Sequence, residues 1–419
     1  MARKRVIIIG GGFAGLHVIK YLKDDTFDVL LLDKKNHHLF QPLLYQVASA
    51  ALSPADIAFP LRELMKNRKN TTVLMGEVIK IDKEMQTVTL APDQIFPYDY
   101  LVVACGARHS YFGNDPWEKW APGLKTLPDA LAIRENILLS FERAERLDDL
   151  TDIEKCLNFI IIGGGPTGVE MAGAIAEIAH STLFKNFRRI QPEKAQVILI
   201  EAAPRVLPPY PSSLSARAQK DLEKLGVKVL TNTKVTNVTA EGVETDKGFF
   251  PSYNIIWAAG NQASPLLREL DSPLDRQGRI VVEKDLTVPH HPNIFVIGDA
   301  GCCMTPKGTP VPAVATAAIQ QGCYVGKLLN KATPPVARKP FKYFDKGSLA
   351  TIGKAKAVAF VGGLKFSGFF AWILWAFIHI LYLIGFKNRY AVLLQWYFHY
   401  VNGLRGARLI HRAIDERKP

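Results

Sequence analysis

Two glycine turns of the form G-x-G-x-x-G, each entered from a short apolar run, restrict this chain more than any other feature. The first, Gly10-Gly11-Gly12-Phe13-Ala14-Gly15, follows residues 6–9, and the second, Gly163-Gly164-Gly165-Pro166-Thr167-Gly168, follows residues 159–162. In this pattern the first glycine makes the tight turn, the second lets the backbone approach a pyrophosphate, and the third packs the following helix close to the strand. A carboxylate closes the next strand of each copy. Asp33 stands 18 residues beyond Gly15, and Glu201 stands 33 beyond Gly168, which predicts a longer helix or loop in the second copy. Each copy then reaches an A-x-G strand end, with 96 residues separating Gly10 from Gly106 and 97 separating Gly163 from Gly260. The fold expected is α/β, with two Rossmann-like dinucleotide-binding domains and a different dinucleotide in each. Single glycine motifs are commonly ordinary turns; two copies at matched spacing are not.

The helix of the first copy is predicted to run through Lys23, with strands over 28–32 and 196–200. Five cysteines, Cys105, Cys156, Cys302, Cys303 and Cys323, form no C-x-x-C pair, which argues against a disulfide framework or a thiolate zinc site, and no metal is expected. Apolar residues at 48% and charged residues at 22% describe a globular chain. Its net charge of +13 is localised: residues 331–419 hold 15 Lys/Arg against Asp345, Asp415 and Glu416, leaving the first 330 residues nearly neutral. A basic segment on a neutral body meets a polyanion, either nucleic acid or an anionic membrane surface.

A later apolar strand ends in Gly298-Asp299, and a helix is predicted over 314–329. This order of motifs resembles the two-dinucleotide flavoproteins that include glutathione reductase. The resemblance implies that the first turn and Asp299 hold FAD and the second turn holds NAD(P)H. Disulfide reductases of that superfamily carry a cysteine pair soon after the first turn, yet residues 16–104 contain no cysteine. Without that relay the class is excluded. Sulfide:quinone oxidoreductases generally lack the second turn, so Cys156 reads as an ordinary residue beside a strand.

The C-terminal region speaks to the electron acceptor. Residues 366–386 contain no charged side chain, and as one helix would reach about 31 Å, barely the thickness of a bilayer. Spanning would put the basic tail opposite the nucleotide-binding body, against the positive-inside rule. A helix lying flat is expected instead, with Asn388, Gln395, His399, Asn402, Arg405, Arg408 and Arg412 on a polar side. Leu393, Trp396, Tyr397, Val401, Leu404 and Ile410 oppose them, interrupted by Gly403 and Gly406. A buried core helix or a homodimer contact is the competing interpretation. No nucleic-acid module accompanies the basic residues.

Further segments sharpen the resemblance. Residues 36–48 (NHHLFQPLLYQVA), residues 345–353 (DKGSLATIG) and the Trp-rich end are similar to type II NADH:quinone oxidoreductases, over essentially the whole chain. Such enzymes are single-chain, non-proton-pumping, FAD-containing respiratory proteins peripheral to the membrane. The resemblance implies that Gly10, Gly11, Gly12, Phe13, Ala14, Gly15, Asp33, Lys34, Val78, Gly106, Asp299, Ala315, Thr316 and Lys346 line FAD. It likewise implies that Gly163, Gly165, Gly168, Glu201 and Gly260 bind NADH, with Glu201 disfavouring a 2′-phosphate, and that Glu170 is the active-site glutamate. Glu170 is also a helix-N-terminal charge favoured by the macrodipole. For the quinone the resemblance points to Gln320, Thr316 and Lys346, but Thr316 stands where the family pattern A-Q-x-A-x-Q has its first glutamine.

These segments predict an FAD domain over 1–115 and 275–345, an NADH domain over 116–274, and a membrane-association region over 346–419. The partners expected are NADH, a membrane quinone (ubiquinone or menaquinone) and anionic lipid, on the cytoplasmic face of a bacterial inner membrane, since no leader is recognisable. An NADH-dependent reductase of a ferredoxin-like protein, and a membrane-associated flavoprotein sensor similar to apoptosis-inducing-factor-like proteins, are the alternatives.

Overall fold

A computed structural model describes residues 3–402, apart from the side chain of Asn402, and 405–410. The expected tail residues Gly403, Leu404 and Arg412, with the rest of 411–419, lie outside the described residues. Two compact units emerge: Met1–Leu39, Ala58–Arg108 and Asn261–Lys346 form the first; Phe40–Ile57, His109–Gly260 and Gly347–Pro419 form the second. This division differs from the expected boundaries. Residues 40–57 join the second unit, the crossings fall near 108 and 261, and the C-terminal region clusters with the second unit instead of standing alone.

In the first unit, runs of Val, Ile and Leu too apolar to face water on either side build a buried parallel sheet. Its strands lie in the order Thr287–Val288, His291–Val296, Tyr100–Val103, Lys4–Ile9, Phe27–Asp33 and Thr71–Met75, with only the Thr287–Val288 edge antiparallel. The helix Phe13–Ile19 is shorter than the expected run to Lys23. It packs against the helix Ala315–Asn330, where Gly322 and Gly326 admit its backbone.

The second unit repeats the design with four parallel strands ordered Val227–Leu230, Gln196–Ile200, Asn158–Ile162 and Asn254–Trp257. The helix Pro166–Glu177 continues into a wider π turn over Ile178–Thr182, and a loop with the 3₁₀ turn Pro192–Lys194 follows. That extension accounts for the 33 residues before Glu201. A long helix, Leu127–Arg146, starts at Thr126, whose side chain and that of Asp129 cap each other's backbone.

The C-terminal region opens with an antiparallel sheet, Ser348–Gly353, Lys356–Val361 and Leu364–Gly368, that packs on the helix Pro166–Glu177. Residues 366–386 do not form one helix. Phe366 belongs to the last strand, and the helix Phe369–Tyr382 has 14 residues. Leu383 leaves helical conformation, and Gly385 adopts a φ of +88°. The Arg389 guanidinium closes the end by donating to the carbonyls of Leu383 (2.7 Å) and Leu381 (3.0 Å). No described helix is long and apolar enough to cross a membrane.

The final helix is Phe386–Asn402, and it leaves most of its expected apolar side exposed. Its polar side turns inward. Asn388 donates to the carbonyl of Ala55 (3.1 Å), Gln395 donates to Asp56 (3.1 Å), and Arg405 is buried. Leu393, Tyr397 and Val401 are exposed, together with Phe370 (78%) and Phe377 (65%) on the preceding helix. Trp396, expected in the apolar set with Leu393 and Tyr397, is instead buried, and residues 405–410 are irregular, so Arg405, Arg408 and Ile410 do not continue the helix. Periodicity identifies two faces; fixed protein acceptors decide which one turns inward.

Three histidines, His38 buried and His109 and His379 partly buried, carry a stability consequence. Burial pushes His38, His109 and His379 down to about 4, against an unfolded value of 6.5. The unfolded chain therefore binds more protons across this window, so stability is complete above pH 6.5 and is lost as pH falls toward 4. Each such group adds at most about 1.4 kcal/mol per pH unit to the slope within this window. Thermal midpoints measured from pH 7 to pH 5 should fall steeply, and His379→Asn should flatten the fall; a midpoint independent of pH contradicts this.

Candidate active site

Each dinucleotide cradle is built by the same local geometry. Gly10 and Gly163 take φ values of +107° and +110°, which side chains rarely adopt. A Cβ on Gly15 would lie 2.0 Å from the Gly10 carbonyl oxygen, and one on Gly168 would lie 1.8 Å from that of Gly163. By contrast, a Cβ on Gly12 or Gly165 would meet no atom within 4 Å. These are the open faces where a pyrophosphate can approach the backbone.

The strand-end carboxylates are held alike. Asp33 accepts from the backbone N–H of Gly11 (2.6 Å) and of Lys35 (2.7 Å). Glu201 accepts from Gly164 and from Ala203 (2.7 Å). Each carboxylate oxygen keeps a further lone pair for ribose hydroxyls. The residues of the first cradle thus fit FAD, and those of the second fit a nicotinamide dinucleotide lacking a 2′-phosphate.

Within the first unit the structure gathers most of the expected residues. Gly298 lies against Ala14 and Ala318, bringing the Gly-Asp turn to the first glycine turn and to the helix bearing Ala315, Thr316 and Gln320. Gln321, which sequence reasoning missed, is buried and accepts from the Gly298 N–H at 2.6 Å. Lys34 is exposed just beyond Asp33, Gly106 takes a φ of +72°, and Lys346 precedes the strand at Ser348.

Val78 buries its side chain in the core with Ile7 and Ile9, so only its backbone remains to meet a ligand. Gln320 is occupied at both ends: its amide donates to the carbonyls of Thr316 (3.1 Å) and Phe344 (2.9 Å) and accepts from the Phe344 N–H (2.9 Å). All five cysteines are free thiols. Burial pushes Cys105 and Cys303 up to about 11, leaving no reactive thiolate there.

In the second unit, Glu170 stands on the helix that begins at the second glycine turn, and Gly260 ends the neighbouring strand region with a φ of +72°. Glu170 lines a cavity that sequence reasoning did not anticipate, walled by Trp372, Trp375, Trp396 and Tyr400 and bearing Tyr45 and Gln46. Burial holds the Glu170 carboxyl well above the usual range, opposed in part by the Thr351 amide. Tyr45 is likewise raised well above its ordinary value, first by burial and then by the charge of Glu170.

A hydrogen-bonded chain fixes this wall. The Trp396 indole donates to Gln46 Oε1 (2.7 Å), and Gln46 Nε2 donates to the Tyr45 hydroxyl (2.8 Å). At the cavity's edge, Arg405 donates to the carbonyl of Ser49 (2.6 Å) and to Glu177 (2.9 Å), while Glu177 accepts the Lys354 N–H. The one signal in the sequence was Gln46, a polar residue inside the apolar run 43–48.

Two nucleotide cradles of one design, without a reactive thiol pair, define a two-dinucleotide oxidoreductase that hands electrons on without protein disulfides. The family model described as pyridine nucleotide-disulphide oxidoreductase matches residues 4–322, and the NDH2 C-terminal domain matches residues 346–403. The type II NADH:quinone oxidoreductase NdhA of Mycobacterium tuberculosis is 45% identical over 97% of this chain and 89% of its own. That of Staphylococcus haemolyticus is 30% identical over 87% of this chain and 92% of its own. In fold, the NDH2 of Plasmodium falciparum in complex with NADH superposes with a TM-score of 0.89 at 22% identity, covering 97% and 99% of the two chains. The chain belongs to the type II NADH:quinone oxidoreductases.

Proposed function

We propose that this chain oxidises NADH at its second glycine turn and reduces a membrane quinone, ubiquinone or menaquinone, through the cavity lined by Glu170. The observation that carries this reading is the position of Glu170, on the helix started by the NADH turn and in the wall of the aromatic cavity. Gly163, Gly165 and Gly168 receive the pyrophosphate, and Glu201 receives the adenosine ribose. Bound FAD, held along Gly10–Gly15, Asp33, Gly106 and Asp299, supplies the chemistry that takes hydride from NADH and returns two electrons to quinone.

The chain's own residues position groups and move protons. Burial in the wall holds the Glu170 carboxyl well above its ordinary range, which suits it to give a proton to the reduced quinone. Tyr45, fixed by Gln46 and Trp396, stays a neutral hydroxyl beside it. Gln320 acts by holding Phe344, and thereby the segment that leads to Lys346.

The same reading places the enzyme peripherally on the cytoplasmic face of the inner membrane. The exposed apolar side chains of 369–382 and 386–402 enter the lipid boundary, and the basic C-terminal region meets anionic headgroups.

An anaerobic absorbance titration tests the redox assignment. NADH should bleach the yellow protein, and added menadione should restore its colour. In Glu170→Gln the bleaching should persist while recovery slows by about a hundredfold, the size of one general acid. Colourless protein, or colour unaffected by NADH, defeats the flavoenzyme reading; wild-type recovery in Glu170→Gln removes it from proton transfer.

A further inference from the structure

We infer that the indole N–H of Trp375 donates a hydrogen bond to a carbonyl oxygen of the quinone, an inference that rests on the quinone reading of this cavity. Trp375 lines the cavity and is only 1% exposed, yet its Nε1 has no hydrogen-bond partner in the protein. An indole nitrogen can only donate, and leaving a buried donor unpaired costs about 1–3 kcal/mol. Native proteins keep few such groups, and one in a cavity wall calls for an acceptor from the occupant.

The neighbouring acceptors are already engaged. Gln46 Oε1 receives the Trp396 indole at 2.7 Å. Glu177 receives Arg405 and the Lys354 amide. Nor is the Trp375 ring free to swing toward another partner. Its centroid lies 5.1 Å from that of Trp396 and 4.3 Å from that of His379, whose Nδ1 also bonds the Trp375 carbonyl at 2.7 Å.

The shape and chemistry of the walls select the occupant. Indole and phenol side chains from Trp372, Trp396 and Tyr400 favour a flat, apolar ring. A flat ring bearing a carbonyl acceptor satisfies both the aromatic wall and the unpaired donor. Quinone has this chemistry, and Trp375 is then a binding residue that orients the head group.

Trp375→Phe keeps an aromatic ring and removes the donor. Steady-state assays of the flavin-loaded enzyme with menadione should show a quinone KM raised about three- to tenfold, the range of one neutral hydrogen bond, with kcat changed less than twofold. A role in packing alone would lower flavin content and kcat without this split. A quinone KM unchanged in a folded variant overturns the inference while leaving quinone reduction standing. Wild-type enzyme that turns over no quinone removes the underlying reading, and this inference with it.

Indole-¹⁵N spectra of the wild-type enzyme give a measurement independent of the variant's folding. The chain has six tryptophans. Menadione should move one indole proton downfield into the hydrogen-bonded range; if none moves at saturating menadione, the assignment to Trp375 is wrong.

Discussion

Gly15→Val should purify without flavin colour, whereas the wild-type protein is yellow. The expectation follows from one distance: a Cβ at position 15 would sit 2.0 Å from the Gly10 carbonyl oxygen, which is backbone and cannot rotate away. To relieve that overlap, the helix Phe13–Ile19 must move off the strand Lys4–Ile9, carrying Gly12 and Ala14 out of the cradle. Because Gly298 lies so near Ala14 that a Cβ on it would sit 3.4 Å from the Ala14 Cβ, the Gly-Asp turn is disturbed as well. Flavin occupancy should fall by at least tenfold, read as the ratio of visible to protein absorbance. Full occupancy in a folded Gly15→Val protein would show that the first glycine turn does not hold FAD. Gly12→Ala is the milder comparison, since a Cβ there meets open space in the protein.

The second large effect concerns the attachment of the C-terminal segment. Arg405→Met should destabilise the protein by about 3–5 kcal/mol, because it strands one partner of a buried ion pair. Arg405 and Glu177 have side-chain exposures of 2% and 15%, and the same guanidinium also satisfies the Ser49 carbonyl. Replacing both partners, Arg405→Met with Glu177→Leu, should recover much of the loss, because well-packed apolar groups often match a buried pair. Chemical denaturation monitored by tryptophan fluorescence reads both values, since Trp375 and Trp396 line the cavity that Arg405 closes. A single-variant loss below 1 kcal/mol would reduce the pair to a surface-like contact.

Much of the nucleotide-binding architecture was legible because its requirements are local. A tight turn, a close backbone approach and an acid at a strand end are each properties of a few adjacent residues, and they recur at Gly10 and Gly163 with the same carboxylate-to-amide bonds. The quinone candidates were less legible. Gln320 has the right residue type on the right helix, but its amide is consumed by Phe344, a partner 24 residues away that no spacing identifies.

By itself the sequence determined the two dinucleotide folds, the lack of a dithiol relay, and the apolar and basic character of the C-terminal region. Only the tertiary structure decided that residues 40–57 join the second unit, that Glu170 opens into an aromatic cavity, and that the last helix turns its polar side inward. The physical reason is that burial depends on partners. Asn388, Gln395 and Arg405 resemble water-facing residues in a linear pattern, until Ala55, Asp56, Ser49 and Glu177 are found to supply the hydrogen bonds that water would otherwise provide.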